Sequence, residues 1–331
     1  MVKSYVYAET AFHHEGDMEY IKKLIAQASA IGVNGIKFQV LTEASDFIST
    51  QHSAFKTLQE YTFTTEQWST IFEYTTQAGL DIIMMPLDLG SFELLATHHV
   101  AYLDIHSVSF YDSKLLAAVK QSALPIILGV GGRTLEEIDA KISYFEGKLE
   151  VLMVGYQSFP SKLEHVKIGK IAHLAKKYPQ LAIGYADHSA HDDDFNIRSN
   201  EYARLLGATF FEKHMTIEQG VERVDYNSAV NAETLKEMTN RIRFIENNVL
   251  QNEAEAFSFH ETETTYRNRQ LVCVAARDLA IGTVLTENDM ALKMMDADDQ
   301  NVYRIEPFVG KKIQKAVAKD FPIHSQNIID E

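Results

Sequence analysis

Between residue 4 and about residue 250, short β-branched or apolar runs alternate eight times with longer segments of helical periodicity. Strands are expected near 4–10, 35–41, 81–87, 102–107, 125–131, 149–157, 181–188 and 209–215. Helices are expected over 17–31, 53–79 in two pieces, 90–100, 112–122, 134–147, 163–178, 192–207 and 231–250. Parallel strands need a crossover of a dozen or more residues, and a helix supplies it. Eight strand–helix units in a row therefore predict an α/β chain folded as a (β/α)8 TIM barrel over 1–250, with a doubly wound open sheet as the alternative.

Residues 251–267 are polar and lack an apolar period, which reads as a linker. From 268 to 331 the pattern changes. Leu271-Val272-Cys273-Val274-Ala275-Ala276 reads as a strand, Ile281-Gly282-Thr283 as a turn, and Thr286 to Met290 as a short capped helix. A β-rich module of this size is expected to have little core of its own and to dock on something larger.

The formal net charge of −15 disfavours phosphate backbones and anionic lipid, so neither nucleic acid nor membrane is an expected partner. An anion site would have to be built locally from lysine, arginine or helix amino termini. The single cysteine excludes an intrachain disulfide and a thiolate metal site, and no apolar run approaches bilayer length. With Met1 leading directly into Tyr5-Val6-Tyr7-Ala8, a cytoplasmic protein is expected.

In a parallel barrel the chemistry lies at the carboxyl ends of the strands. There the sequence offers Glu9, Lys37 with Gln39, Asp88, His106 with Ser107, the loop Gly129 to Arg133, Tyr156 with Gln157, Asp187-His188, and Glu212 with His214. His188 and His214 end successive strands and are the expected metal ligands, and Glu9 on the returning first strand completes a two-histidine, one-carboxylate group. Glu212 and His214, two apart, share the inward face, with Lys213 pointing out or sideways. Lys37, flanked by apolar residues, is expected to point at the active-site mouth. Arg133 and the glycine loop are a candidate anion cradle, although Thr134 with Glu137 is also a capping box. His13-His14 follow the first strand, where a loop could reach the site, and His106 is a candidate extra ligand or proton donor.

The chain resembles the sialic acid synthase family. The resemblance rests on Ala8-Glu9 with His14, Gly16 and Asp17, on Gly35-Ile36-Lys37-Phe38-Gln39, Pro86-Leu87-Asp88, Phe159-Pro160 and Gly184-Tyr185-Ala186-Asp187-His188, and on Glu212-Lys213-His214-Met215-Thr216 and Asp225 with Ser228. From about residue 269 it is similar to the antifreeze-like domain that ends these synthases. The resemblance implies condensation of phosphoenolpyruvate, or a related three-carbon unit, with an N-acyl hexosamine aldehyde. It implies a divalent metal on His188 and His214, manganese first with magnesium or cobalt as alternatives. Glu9, Lys37 and Asp225 would serve as catalytic residues. Gln39, Asp88, Ser107, Arg133, Tyr156, Gln157, Tyr185, Asp187 and Lys213 would contact substrate. It also implies a homodimer whose C-terminal domain caps the partner's barrel.

Departures from the family pattern cluster where the phosphate and carboxylate of phosphoenolpyruvate would sit. Met84-Met85 precede Pro86, a family lysine falls on Asp104, Gly129 replaces a serine, Ala186 replaces a serine, and a cap-domain arginine aligns with Met294. Two further readings follow: a metal-assisted aldolase, lyase or epimerase that needs no phosphoenolpyruvate, and a non-catalytic relative that binds a sugar.

Overall fold

A computed structural model describes residues 3–156, 158–267, 269–296, 298 and 300–329. Its eight parallel strands are β1 (Tyr5–Glu9), β2 (Gly35–Val40), β3 (Asp81–Pro86), β4 (Tyr102–Ile105), β5 (Ile126–Gly129), β6 (Leu149–Gly155), β7 (Ala182–Asp187) and β8 (Phe210–His214). They close into a barrel in sequence order, with β8 hydrogen-bonded back to β1. The expected TIM barrel is present, and the open sheet is excluded by that closing pair. The chain divides into two compact units, Met1–Gln251 and Asn252–Glu331.

Period-two alternation sorts every barrel strand into two faces. Val6, Ala8, Ile36, Phe38, Val40, Leu103, Ile105, Ile183, Tyr185 and Phe211 join the helix-side core, together with Trp68, Phe72, Ile242 and others from the surrounding helices. Trp68 is 1% exposed and donates its indole N–H to the Leu41 carbonyl at 3.0 Å. Truncating a buried aromatic of this kind costs about 3–5 kcal/mol. Inside the barrel, Tyr7, Ile83, Ile127, Val151, Met153 and Ala186 pack a separate apolar layer, with Tyr5, Tyr102 and Phe210 below. This layer closes the barrel floor. The polar residues sit above it.

Capping residues start the helices where the sequence places them. Asp17 caps Met18–Ile31 at its amino end, and Gly32 closes the other end at φ 76°, a left-handed conformation that glycine adopts without penalty. The expected capping box of Thr134 and Glu137 is formed. Three segments differ from expectation. Residues 90–100 shorten to a 3-10 turn at Gly90–Ala96, and 163–178 splits into Leu163–Val166 and Lys170–Lys177. The presumed linker holds short helices at Glu253–Ala256 and Glu261–Arg267, which bury no face and so show no apolar period.

In the second unit β9 (Leu271–Ala275) pairs antiparallel with β10 (Met290–Met294), and Lys312–Ile313 pairs with Ile328–Ile329. Cys273, Leu279, Leu285, Phe308, Val317 and Ile323 pack together, so this unit has a core of its own, contrary to expectation. The Cys273 thiol lies in that core, and burial pushes its pKa up to about 11.

Candidate active site

Strand register brings the polar residues to one level. Glu9 stands opposite Lys37 on one side and His214 on the other, and Ala186 stands opposite Glu212. Each is an inward position of its strand. They line a cavity of about 160 Å³ together with Gln39, Met85, Asp104, His106, Ser107, Phe159, His188 and Asp225. Glycines keep the wall thin on this side. A Cβ on Gly184 would meet Met153 at 2.6 Å, and one on Gly155 would press on Ala186 and His188 at 3.3–3.5 Å.

Lys37 is the hub. Its Nζ lies 2.7 Å from Glu212, 3.1 Å from Asp104 and 3.3 Å from Glu9. Burial alone would strip its proton, but the three carboxylates outweigh burial and hold the ammonium charged. Glu9 shows the same balance from the other side. Burial opposes its ionisation, yet Lys37 and His214 hold its pKa well below the usual range, and Gln39 donates to its Oε1 at 3.0 Å. Glu212 is raised, by burial and then by Glu9, and accepts from the Tyr7 hydroxyl at 2.7 Å. Asp104 is raised by burial, which Lys37 offsets only in part.

Four residues could hold a metal ion. Glu9, His188, Glu212 and His214 each offer a ligand atom, all within 4.8 Å of one another. His188 Nδ1 is 3.0 Å from the Tyr156 carbonyl, which can only accept, so Nδ1 carries the proton and Nε2 keeps its lone pair. Burial pushes the His188 pKa down to about 3, which keeps the imidazole neutral, as a ligand must be. His214 Nε2 lies 3.1 Å from Glu9. The His188 and His214 rings are 5.2 Å apart, and Phe159 covers both from 4.5 and 5.8 Å. Two imidazoles and two carboxylates without a thiolate suit a divalent ion such as manganese, so the residues present fit the metal that the family resemblance implies.

Of the residues expected to touch substrate, Gln39 and Ser107 line the cavity, as do Glu9, Lys37, Asp225, His188 and His214 from the catalytic and metal sets. Asp225 reaches it from the loop after β8 with φ 60°, a left-handed backbone that aspartate tolerates, and burial raises its pKa. His106 also lines the cavity, and burial pushes its pKa down to about 4.

Other expected contacts point elsewhere. Tyr185, Asp187 and Lys213 occupy outward strand positions, because each lies one residue from an inward one. Lys213 Nζ donates to Asp187 at 2.9 Å, and Asp187 also accepts from Ser189 and Asn200. Lys213 is 0% exposed. Asp88 accepts from the backbone of Thr42, Glu43 and Ser91, tying two loops together. Arg133 donates to the Ser107 carbonyl at 2.7 Å, lies 4.2 Å over the Phe110 ring, and lines a separate, mainly apolar cavity with Leu135, Ile138 and Leu174. Tyr156 contributes its carbonyl and not its ring, which leans toward His165. His14 stacks on Phe63 at 4.6 Å, away from the cavity. Gln157 lies outside the described residues.

The sequence pattern puts Glu212 on the inward face without marking it as a ligand, and Tyr7 is not among the residues expected at the site. The signal for both was the two-residue spacing to His214 and Glu9.

Comparison with known proteins identifies the family. Residues 24–254 match the NeuB family and residues 272–328 the SAF domain. The chain is 24% identical to an N-acetylneuraminate-9-phosphate synthase of Drosophila melanogaster, over 98% of this chain and 96% of that one. It is 23% identical to an N,N'-diacetyllegionaminic acid synthase of Campylobacter jejuni, over 97% and 98%. A crystal structure of spore coat polysaccharide biosynthesis protein E from Chromobacterium violaceum superposes with a TM-score of 0.85 at 23% identity, covering 99% of this chain and all of that one. With the family match extending over most of its length and continuing into the SAF domain, the chain belongs to the NeuB family of sialic acid synthases and their relatives.

Proposed function

We propose that this protein is a metal-dependent enzyme that acts at the carbonyl of a sugar-type substrate. One observation carries the reading: Glu9, His188, Glu212 and His214 converge within 4.8 Å at the carboxyl ends of the barrel strands. A divalent ion held there, manganese first and magnesium or cobalt as alternatives, supplies Lewis-acid polarisation of a substrate oxygen. Glu9, ionised and oriented by Gln39 and Lys37, is the group suited to accept a proton from water or substrate. Asp225, with its pKa raised, faces the same cavity and is suited to return one. Lys37 acts by holding the carboxylates in place. A homodimer in which the C-terminal domain caps the partner's barrel belongs to the same reading, supported by the SAF match.

Two reactions share this first half. In the synthase reaction the partner is phosphoenolpyruvate or a related three-carbon unit and the sugar is an N-acyl hexosamine. In the second, an aldol cleavage or epimerisation proceeds without phosphoenolpyruvate. The second is favoured by Asp104, which engages Lys37 and leaves it no free charge for a phosphate. Incubation with manganese, phosphoenolpyruvate and a panel of N-acyl hexosamines tests the first, with phosphate release as readout. Metal-dependent exchange of a substrate C–H proton with solvent deuterium, in the absence of phosphoenolpyruvate, tests the second. If neither signal arises with any sugar, the enzymatic reading is wrong.

A further inference from the structure

A second cavity lies behind the barrel wall, and none of the proposed chemistry uses it. Its volume is about 270 Å³, against about 160 Å³ for the candidate active site. The lining comes from the loop after β5, the end of β6, and the helices Leu135–Phe145 and Lys170–Lys177. Val130, Ile138, Val154 and Leu174 in that lining belong to the helix-side core, whereas Met153 of the candidate active site belongs to the inner layer. Gly155 is common to both linings, so the end of β6 is the partition between the two spaces. The glycine loop with Arg133, expected from the sequence as an anion cradle, opens on this outer cavity.

The lining joins an apolar body to a basic edge. Val130, Leu135, Ile138, Val154 and Leu174 supply the first, and Arg133, Lys170 and His173 the second. An apolar space with a few placed polar groups is the usual make-up of a small-molecule site. Among the described residues no aspartate or glutamate lines it, in a chain whose acids outnumber its lysines and arginines by 46 to 31. Glu137 stands 3.8 Å from Arg133 Nη1, beyond hydrogen-bonding distance, and its two oxygens accept from Tyr111 and the Thr134 amide. Arg133 donates Nη2 to the Ser107 carbonyl, and its Nε is buried without an acceptor, so donor capacity remains. Lys170 is exposed, and its ammonium has no hydrogen-bond or ion-pair partner among the described residues. The net charge of −15 acts at long range and is screened beyond about 8 Å at physiological salt, which leaves the local cations to decide. A divalent ion on the donor cluster would add positive charge across β6 and reinforce them.

We infer that this outer cavity is a second ligand site, and that its ligand is a small carboxylate with an aryl or aliphatic body. The body replaces water against the five apolar side chains, and the carboxylate meets Lys170 and Arg133 at the edge. A neutral molecule of the same shape leaves these cations unused, an amine meets like charge, and a bare anion buries no apolar surface. The inference stands apart from the proposed chemistry, because it uses no residue of the metal-donor group.

The test is isothermal titration calorimetry of the full-length protein at neutral pH. The probes are hydrocinnamate, the isosteric neutral hydrocinnamamide, phenethylamine and acetate. Hydrocinnamate is expected to bind at one site per chain, at least about tenfold more tightly than each of the other three. Leu135→Trp, which fills the space from a position 49% exposed, is expected to weaken hydrocinnamate at least about tenfold. Lys170→Glu is expected to weaken it at least about threefold. Neither residue lines the candidate active site, so these losses assign the probe to the outer cavity. The inference is overturned if hydrocinnamate does not bind, if any of the other three matches it, or if either folded variant binds it as the parent does. Lys170→Glu changes an exposed position and decides the matter should Leu135→Trp fail to fold.

Discussion

A lysine enclosed by carboxylates at the centre of a barrel is stable only while the set is complete. Lys37 satisfies Glu9, Asp104 and Glu212 at once, so Lys37→Met leaves three buried carboxylates to repel one another. Breaking a buried ion pair by removing one partner costs about 3–5 kcal/mol. A urea melt should show a midpoint lowered accordingly, and an unchanged midpoint would contradict the hub role. Four histidines carry a second expectation at this scale. Burial depresses His13 and His106 to about 4, and His14 and His188 to about 3. In the unfolded chain such groups titrate near 6.5, so the unfolded state binds more protons throughout the interval between. Their contribution to stability is therefore whole above about pH 6.5 and is lost as pH falls toward 4 and below. Each unit of depression is worth about 1.4 kcal/mol. Metal-free protein should show Tm falling steadily from pH 6.5 to 4, and a flat profile would contradict the burial of these imidazoles.

At the scale of elements, β7 and β8 are joined on their outer face by the Asp187–Lys213 pair, one residue before His188 and His214 on the inner face. The pair is fully buried, with Ser189 and Asn200 completing it. Lys213→Met is expected to cost about 3–5 kcal/mol, and Asp187→Ala combined with Lys213→Met substantially less than the sum of the two single changes. Chemical denaturation of the four-member cycle checks this, and additive costs would show that the two residues act independently. The same two strands mark how far the site was legible in advance. The histidines end consecutive apolar runs, so their convergence followed once the barrel closed. Strand periodicity also separates Glu212 and His214 from Lys213. The motif alone points Tyr185, Asp187 and Lys213 at substrate, whereas the alternation turns them outward. Asp88 and Arg133 could not be sorted in this way. They lie in loops, where no period applies, and their partners Thr42 and Phe110 are remote in sequence or sit on another element. The short helices of 253–267 were invisible for a related reason, since a helix that buries nothing leaves no apolar stripe.

For the molecule as a whole, two units with separate cores are connected through a segment whose aromatic residues are exposed, Phe257 at 79% and Tyr266 at 75%. Chymotrypsin should cut there first and release a barrel fragment ending at Phe257, Phe259 or Tyr266, identifiable by intact mass. First cleavage inside 5–214 would contradict the division into units. Everything proposed about chemistry depends on the donors that the closed barrel brings together: Glu9 from the first strand, Glu212 and His214 from the last, and His188 just past β7. The most direct test is the metal content of the purified protein by inductively coupled plasma mass spectrometry after manganese loading and dialysis, with His188→Ala and His214→Ala measured alongside and their folding checked by circular dichroism. A single divalent ion per chain, lost in both folded variants, is the expected result. A chain that retains no ion, or variants that keep it, would contradict the metal site and the function built on it.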